Sequence, residues 1–192
     1  PEWQQSVKRA LVICISPLML ILLLPIFAVL ALVIKLDSRG PVIFSQERIG
    51  RYGKPFKIFK FRSMRVDAES NGPALSSSQV PRMTRIGKFL RKFRLDELPQ
   101  FYNVLLGDMS LVGPRPERQF YIDQIVPRAP HYRLLQRVKP GITSWGQVKF
   151  GYAENVDQMI ERLQYDLLYI ENMSLALDFK ILIYTVLTII KA

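Results

Sequence analysis

Two residue types are nearly missing from this chain of 192 residues, which has one cysteine, Cys14, and one histidine, His131. A single cysteine excludes a disulfide framework and a cysteine-based zinc site, and it suits a reducing compartment. A single histidine excludes a histidine-rich metal centre and gives no support for a Ser/His nucleophile pair. Several signatures are missing too. There is no P-loop, no Gly-x-Gly-x-x-Gly after a strand, no Asp-x-Asp pair and no Gly-x-Ser-x-Gly elbow. P-loop, dinucleotide-binding and α/β-hydrolase chemistries therefore have no footing here.

What is present is unevenly spread. Hydrophobic residues make up 49% of the chain, yet Ala10–Ile34 carries no charge over 25 positions. About 20 apolar residues suffice to cross a bilayer. The run is too long for a signal peptide, and no small-residue cleavage site follows it. Pro17 and Pro25 lie inside the run, and an interior proline removes a helical hydrogen bond and bends the helix. Lys8 and Arg9 precede it, while Lys35 and Arg39 follow, so the positive-inside tendency pulls both flanks to one side. These features predict a re-entrant membrane helix over residues 1–36, broken at Pro25, rather than a kinked full span. Ser16 is placed to bond a carbonyl freed near a proline.

Charge is lopsided as well. Residues 35–100 hold 15 Lys/Arg against 6 Asp/Glu, whereas residues 101–192 hold 10 against 9. A basic block directly after an apolar run points to an anionic lipid surface, to phosphorylated substrates, or to both. A basic face kept only for solubility is the plain alternative.

Residues 37–192 read as a cytoplasmic, membrane-associated domain, mostly helical with a small sheet, hence α+β. Asp37-Ser38-Arg39-Gly40-Pro41 is a turn cluster. Val42–Phe44 and Phe56–Phe61 have strand composition around Gly50 and Gly53, which predicts a hairpin over 42–62. Residues 67–80 form a polar loop. Pro81–Arg94 reads as a basic amphipathic helix with Met83, Ile86, Leu90 and Phe93 on one stripe, suited to a membrane interface or to the core. Further helices are predicted over Leu98–Leu106, Pro116–Val126 and Ala153–Glu171, with a turn at Pro140-Gly141. Ser174–Ile190 is strongly apolar but contains Asp178 and Lys180, so it reads as an interfacial or core helix, too short to span.

Asp96 and Glu97 are adjacent acids at the end of the most basic part of the chain. On a helix such neighbours point about 100° apart, so they suit separate roles better than a shared proton. A carboxylate can attack phosphorus as a covalent nucleophile, and Mg²⁺ favours carboxylate oxygens together with substrate phosphates. Helix capping by Asp96 is the plain structural reading of the same pair. Arg115, held between Pro114 and Pro116, is stiffly presented for bidentate phosphate binding, or is a surface arginine in a rigid turn. Lys60 and Arg62 alternate with Phe59 and Phe61 and would project from one strand face.

Together these residues resemble a known family. Lys60-Phe61-Arg62-Ser63-Met64, Arg91, Leu95-Asp96-Glu97-Leu98-Pro99-Gln100, Asn103-Val104-Leu105, Gly107-Asp108-Met109-Ser110, Gly113-Pro114-Arg115-Pro116 and Pro140-Gly141-Ile142-Thr143 are similar to motifs of the bacterial sugar transferases. These are monotopic phosphoglycosyl transferases of the bacterial inner membrane, and the likeness runs from about Lys8 to Ala192. The sequence departs from the family at Leu24, before the break proline, and at Ala10 and Ser144. The resemblance implies transfer of a sugar-1-phosphate from a UDP-sugar to undecaprenyl phosphate at the cytoplasmic face, with release of UMP. It implies Asp96 as the nucleophile, Glu97 as the Mg²⁺ ligand, and Lys60, Arg91 and Arg115 as phosphate-binding cations; Arg62, on the same predicted strand face as Lys60, is read as a fourth. It also implies a re-entrant helix bent at Pro25.

The abrupt start at Pro1 reads as a piece of a longer protein. No nucleic acid is expected as a partner, and a homo-oligomer remains one option among several. The rival from another class is a membrane-tethered basic module that holds anionic lipid or nucleic acid without catalysis.

Overall fold

The computed structural model describes residues 2–70, 72–73 and 82–191. Its first element, α1, runs from Glu2 to Asp37 with Pro17 and Pro25 inside it. The residues on both sides of Pro25 belong to one helix, so the proline interrupts the hydrogen-bond ladder without ending the element. Most of the α1 surface is apolar and exposed, including Ile21, Leu22, Leu24, Val29 and Leu32. From Ser6 to Asp37 the helix is long and apolar enough to cross a membrane. Such a surface calls for an apolar surrounding, and it marks the chain as membrane-associated.

Each end of α1 is nonetheless fixed to the folded body. Val12 is buried in a cluster with Ile58, Val104 and Met109. Ile34 is buried in a second cluster with Phe61 and Leu90, against which Phe27 and Leu30 pack. Lys8 Nζ reaches Asp178 at 2.7 Å and also donates to Tyr169 Oη and the Val112 carbonyl, each at 3.0 Å. Ser16 is fully buried, and among the described residues its hydroxyl has no hydrogen-bond partner.

The predicted hairpin is present. Strands β1 (Ile43–Ile49) and β2 (Pro55–Phe61) pair antiparallel, with Phe44 opposite Lys60 and Gln46 opposite Ile58. A tight turn through Gly50–Gly53 joins them. Helix α2 is shorter than the amphipathic pattern predicts, spanning Arg85–Lys92. Thr84 caps it, its side chain accepting from the Gly87 amide, and Met83 instead bridges to Met64. The capping hydroxyl and this bridge hold Met83 and Thr84 out of the helix, which starts it late. Part of the predicted polar loop, residue 71 and residues 74–80, lies outside the described residues, as does Pro81.

Helix α3 (Gln100–Leu106) ends at Gly107, whose φ of +94° is the left-handed cap that glycine adopts freely. Strand β3 (Ser110–Val112) follows. Helix α4 (Gln119–Ile125) and a 3₁₀ turn over Pro130–Arg137 then lead to β4 (Gly141–Thr143). Strand β4 pairs parallel with β3, so the expected turn at Pro140-Gly141 opens into a second, two-stranded sheet. Helix α5 (Trp145–Lys149) precedes α6 (Val156–Glu171), which starts three residues later than predicted because the Asn155 side chain caps it. Helix α7 (Leu175–Ile190) is capped by Ser174, with Asp178 and Ile181 turned inward and Phe179, Ile183 and Val186 exposed. The largest core cluster joins α4, the 3₁₀ turn and α6 around Tyr121, Ile125, Tyr132 and Leu163.

Candidate active site

The carboxylates sit on a 3₁₀ turn over Leu95–Glu97, between α2 and α3. Arg94, just before it, has a φ of +54°, a conformation that costs a non-glycine residue energy and persists only when the surroundings impose it. That turn directs both acids inward. Asp96 is 4% exposed and Glu97 is 3% exposed.

Strand β2 brings the cations. Asn103 of α3 is fully buried and splices the helix to the strand: its Nδ2 donates to the Lys57 carbonyl at 2.7 Å, and its Oδ1 accepts from the Phe59 amide at 3.0 Å. The splice sets Lys60 beside the turn, where its Nζ lies 3.0 Å from Glu97 Oε1. Arg115 Nη1 approaches the same oxygen at 3.4 Å from the Gly113–Pro116 loop. The guanidinium groups of Arg94 and Arg115 lie 5.5 and 5.6 Å from the Tyr152 ring centroid.

The two acids respond differently. Burial would raise Glu97, but Lys60 and Arg115, with Arg94 behind them, override it and hold the carboxylate well below its usual range. Asp96 is pushed up, first by burial and then by the neighbouring Glu97, against the pull of Lys60, Arg91 and Arg115. Among the described residues, Asp96 Oδ1 is buried with no hydrogen-bond partner. A buried carboxylate oxygen without a donor is costly, and such atoms concentrate where chemistry needs them. Lys60 is lowered by burial, which outweighs Glu97. In Arg115 burial is outweighed by Glu97 and Glu117, so its charge is held more firmly than usual.

Of the residues singled out in the sequence, Lys60, Asp96, Glu97 and Arg115 come together. Arg91 acts on Asp96 electrostatically while its Nε donates to Ser63 Oγ at 2.9 Å. Arg62 is engaged elsewhere: its guanidinium donates to the backbone carbonyls of Ser38 and Arg39 and fastens the exit of α1 to the hairpin. The strand ends at Phe61, so the alternation that put Lys60 and Arg62 on one face stops one residue too early.

Sequence reasoning missed Glu117 and Arg162. Glu117 Oε1 accepts from Arg162 Nη2 at 2.6 Å, and Glu117 Oε2 from Arg48 Nη1 at 3.3 Å. Asn103 lay inside a quoted motif, but nothing about its spacing announced the splice.

Among the described residues no group of three or more His, Cys, Asp or Glu side chains gathers as a cation cage. The donors present are the two carboxylates. That set fits a Mg²⁺ ion, which takes one or two carboxylates and completes its shell with water and substrate phosphates.

Comparison with known proteins bears on this arrangement. The profile described as bacterial sugar transferase matches residues 3–192. The UDP-N-acetylgalactosamine-undecaprenyl-phosphate N-acetylgalactosaminephosphotransferase of Aeromonas hydrophila is 44% identical over 96% of this chain and 44% of its own length. The UDP-glucose:undecaprenyl-phosphate glucose-1-phosphate transferase of Escherichia coli K12 is 44% identical over 93% of this chain and 39% of its own length. The exopolysaccharide production protein PSS of Rhizobium leguminosarum is 40% identical over 94% of each chain. The chain thus spans less than half the length of the first two relatives. With its profile matched almost end to end and its identity to these relatives at 40–44%, the chain belongs to the bacterial sugar transferase family.

Proposed function

We propose that the protein is a phosphoglycosyl transferase that moves a sugar-1-phosphate from a UDP-sugar to undecaprenyl phosphate. The observation that carries this reading is the pairing at one turn: Asp96 has a buried oxygen without a donor, and Glu97 beside it is neutralised by Lys60 and Arg115. A membrane-tethered basic module without catalysis would leave that unpaired carboxylate unexplained. The names of the Aeromonas and Escherichia relatives support the donor and acceptor classes. Those names differ in the sugar, N-acetylgalactosamine in one and glucose in the other, so the reading stops at a UDP-linked sugar.

The chemistry is two displacements at one phosphorus. An Asp96 oxygen attacks the sugar-bearing phosphorus, a P–O bond forms to the carboxylate, and the bond to the bridging oxygen breaks as UMP leaves. A phosphate oxygen of undecaprenyl phosphate then attacks that phosphorus, and the carboxylate leaves with its electron pair. Lys60 and Arg115 would stabilise charge on the non-bridging oxygens, and Arg91 would help keep Asp96 ionised. Mg²⁺, held by Glu97, would supply further neutralisation of the diphosphate.

A re-entrant path for α1 belongs to the same proposal. Val12 and Ile34 are 22 positions apart, which in a straight helix is about 33 Å. Both pack in clusters built on β2, around Ile58 and Phe61, residues separated by only about 10 Å along a strand. This supports a bend at Pro25 that returns the chain to the face it entered, here the cytoplasmic face of the inner membrane.

The test is incubation with labelled UDP-sugar in the absence of lipid acceptor, followed by mass spectrometry of the peptide containing Asp96. Label on Asp96 with release of UMP is expected. Steady turnover with UDP released and no labelled carboxylate would point to direct glycosyl transfer instead. For α1, cysteines introduced at positions 5 and 37 should react with an impermeant reagent from the same side of sealed vesicles.

A further inference from the structure

We propose that Glu117 is a positioning residue that aims Arg115 from behind the site, without itself touching substrate. The inference rests on Arg115 binding substrate phosphate, as proposed above. Arg115 is strung between two carboxylates, with Nη1 3.4 Å from Glu97 in the site and Nε 4.0 Å from Glu117 behind it. A guanidinium carries its donors in one rigid plane, so restraining the Nε edge largely fixes where the remaining donors point. The Tyr152 ring lies over the same group at 5.6 Å and limits its rotation further.

Glu117 is itself held tightly. It is 4% exposed and is gripped by Arg162 of α6 at 2.6 Å and Arg48 of β1 at 3.3 Å. The result is a line of alternating charge, Glu97–Arg115–Glu117–Arg162, running from the site into the core. Burying such a line is a poor way to gain stability, because desolvation of the charges offsets much of their attraction.

Apart from the Pro116 carbonyl, which accepts from Arg48 at 3.3 Å, the path of the loop is held by groups other than this carboxylate. The Ile49 amide donates to the Glu117 carbonyl at 2.9 Å, the Gly141 amide to the Pro114 carbonyl at 3.0 Å, and the Gly113 amide to the Thr143 carbonyl at 3.1 Å. The Arg115 amide is taken by Asp166. The backbone is thus anchored at Gly113, Pro114, Arg115 and Glu117 by other groups, and what the Glu117 side chain adds is the direction of the guanidinium.

The test is a double-mutant cycle on the full chain in liposomes containing undecaprenyl phosphate, with UDP-glucose and UDP-N-acetylgalactosamine as donors. Glu117→Gln alone should lower kcat/KM between about 10- and 100-fold, the range expected when a catalytic group is slightly misplaced, with KM for the donor raised. In an Arg115→Met background the same substitution should change kcat/KM by less than about twofold, because there is no guanidinium left to aim. An equal loss in both backgrounds would overturn the inference while leaving the role of Arg115 intact. Full turnover by Arg115→Met alone would remove the role of Arg115, and the inference with it. Should thermal unfolding show that Glu117→Gln does not fold, Arg162→Gln carries the same cycle, with the same outcomes deciding.

Discussion

Two pairs of buried acids lie close together in this protein and are treated in opposite ways. Glu117 and Asp166 are saturated: Glu117 is held by Arg48 and Arg162, and Asp166 accepts from the Gly146 amide at 2.9 Å, with Ser144, Arg115 and Arg162 around it. Asp96 and Glu97 are not. Glu97 has its two cations, while Asp96 keeps one buried oxygen without a donor. Burial alone therefore does not mark a reactive acid. An acid whose hydrogen-bonding capacity is filled belongs to the scaffold, and one left partly unfilled is available to a substrate.

The contrast can be broken most directly at Asp96. Asp96→Asn should reduce turnover by more than about a thousandfold, as loss of a covalent nucleophile does, with no loss of thermal stability. Retained turnover, or a large drop in melting temperature, would place Asp96 with the scaffold. Glu117→Ala should do the reverse to the fold, costing about 3–5 kcal/mol because buried guanidiniums lose their counter-charge. Denaturant unfolding of the detergent-solubilised protein measures this, and a cost below 1 kcal/mol would deny that the cluster is a unit.

Asp166 sharpens the comparison through pH. Burial, opposed by its hydrogen bonds, holds its carboxyl up at about 6 against an ordinary value of 3.8. Below both values it is protonated in folded and unfolded chains alike. As pH rises through that window only the unfolded chain gives up its proton, so this group's contribution to stability is lost. Asp166→Asn removes the effect, and the stability of the variant relative to wild type should improve by up to about 3 kcal/mol between pH 4 and pH 7. Parallel stability curves across that range would contradict it. The smallest effect is expected at the exposed pair Arg128–Asp157, where Arg128→Ala should change stability by less than about 0.5 kcal/mol and leave turnover alone.

Much of the local architecture is legible in the sequence because it depends on neighbours. The β1–β2 hairpin follows from apolar strands around Gly50 and Gly53, and the end of α3 from Gly107. The start of α2 does not, because Thr84 competes with a helical pattern that runs through Met83, and a contact with distant Met64 decides the matter. Pairing of β3 with β4 joins three-residue segments about 30 positions apart and leaves no periodic trace. At the site, Asp96, Glu97, Lys60 and Arg115 stand out by local context. Arg62 carries the same local context as Lys60 and yet serves the α1 junction. Glu117, Arg162 and Arg48 are single charges scattered over α6, β1 and a loop, and only folding brings them together.

The double attachment of α1 has a mechanical consequence. A helix tethered to the rest of a protein at one end takes its tilt and immersion from the surrounding lipid. Here Lys8 and Val12 near the start and Ile34 near the end are gripped by the same folded body, so the position of the apolar surface between them is set by the protein itself. The protein carries its own depth gauge. On the re-entrant path proposed for α1, a change in bilayer thickness would leave the distance from Asp96 to the headgroups of the entered leaflet nearly constant.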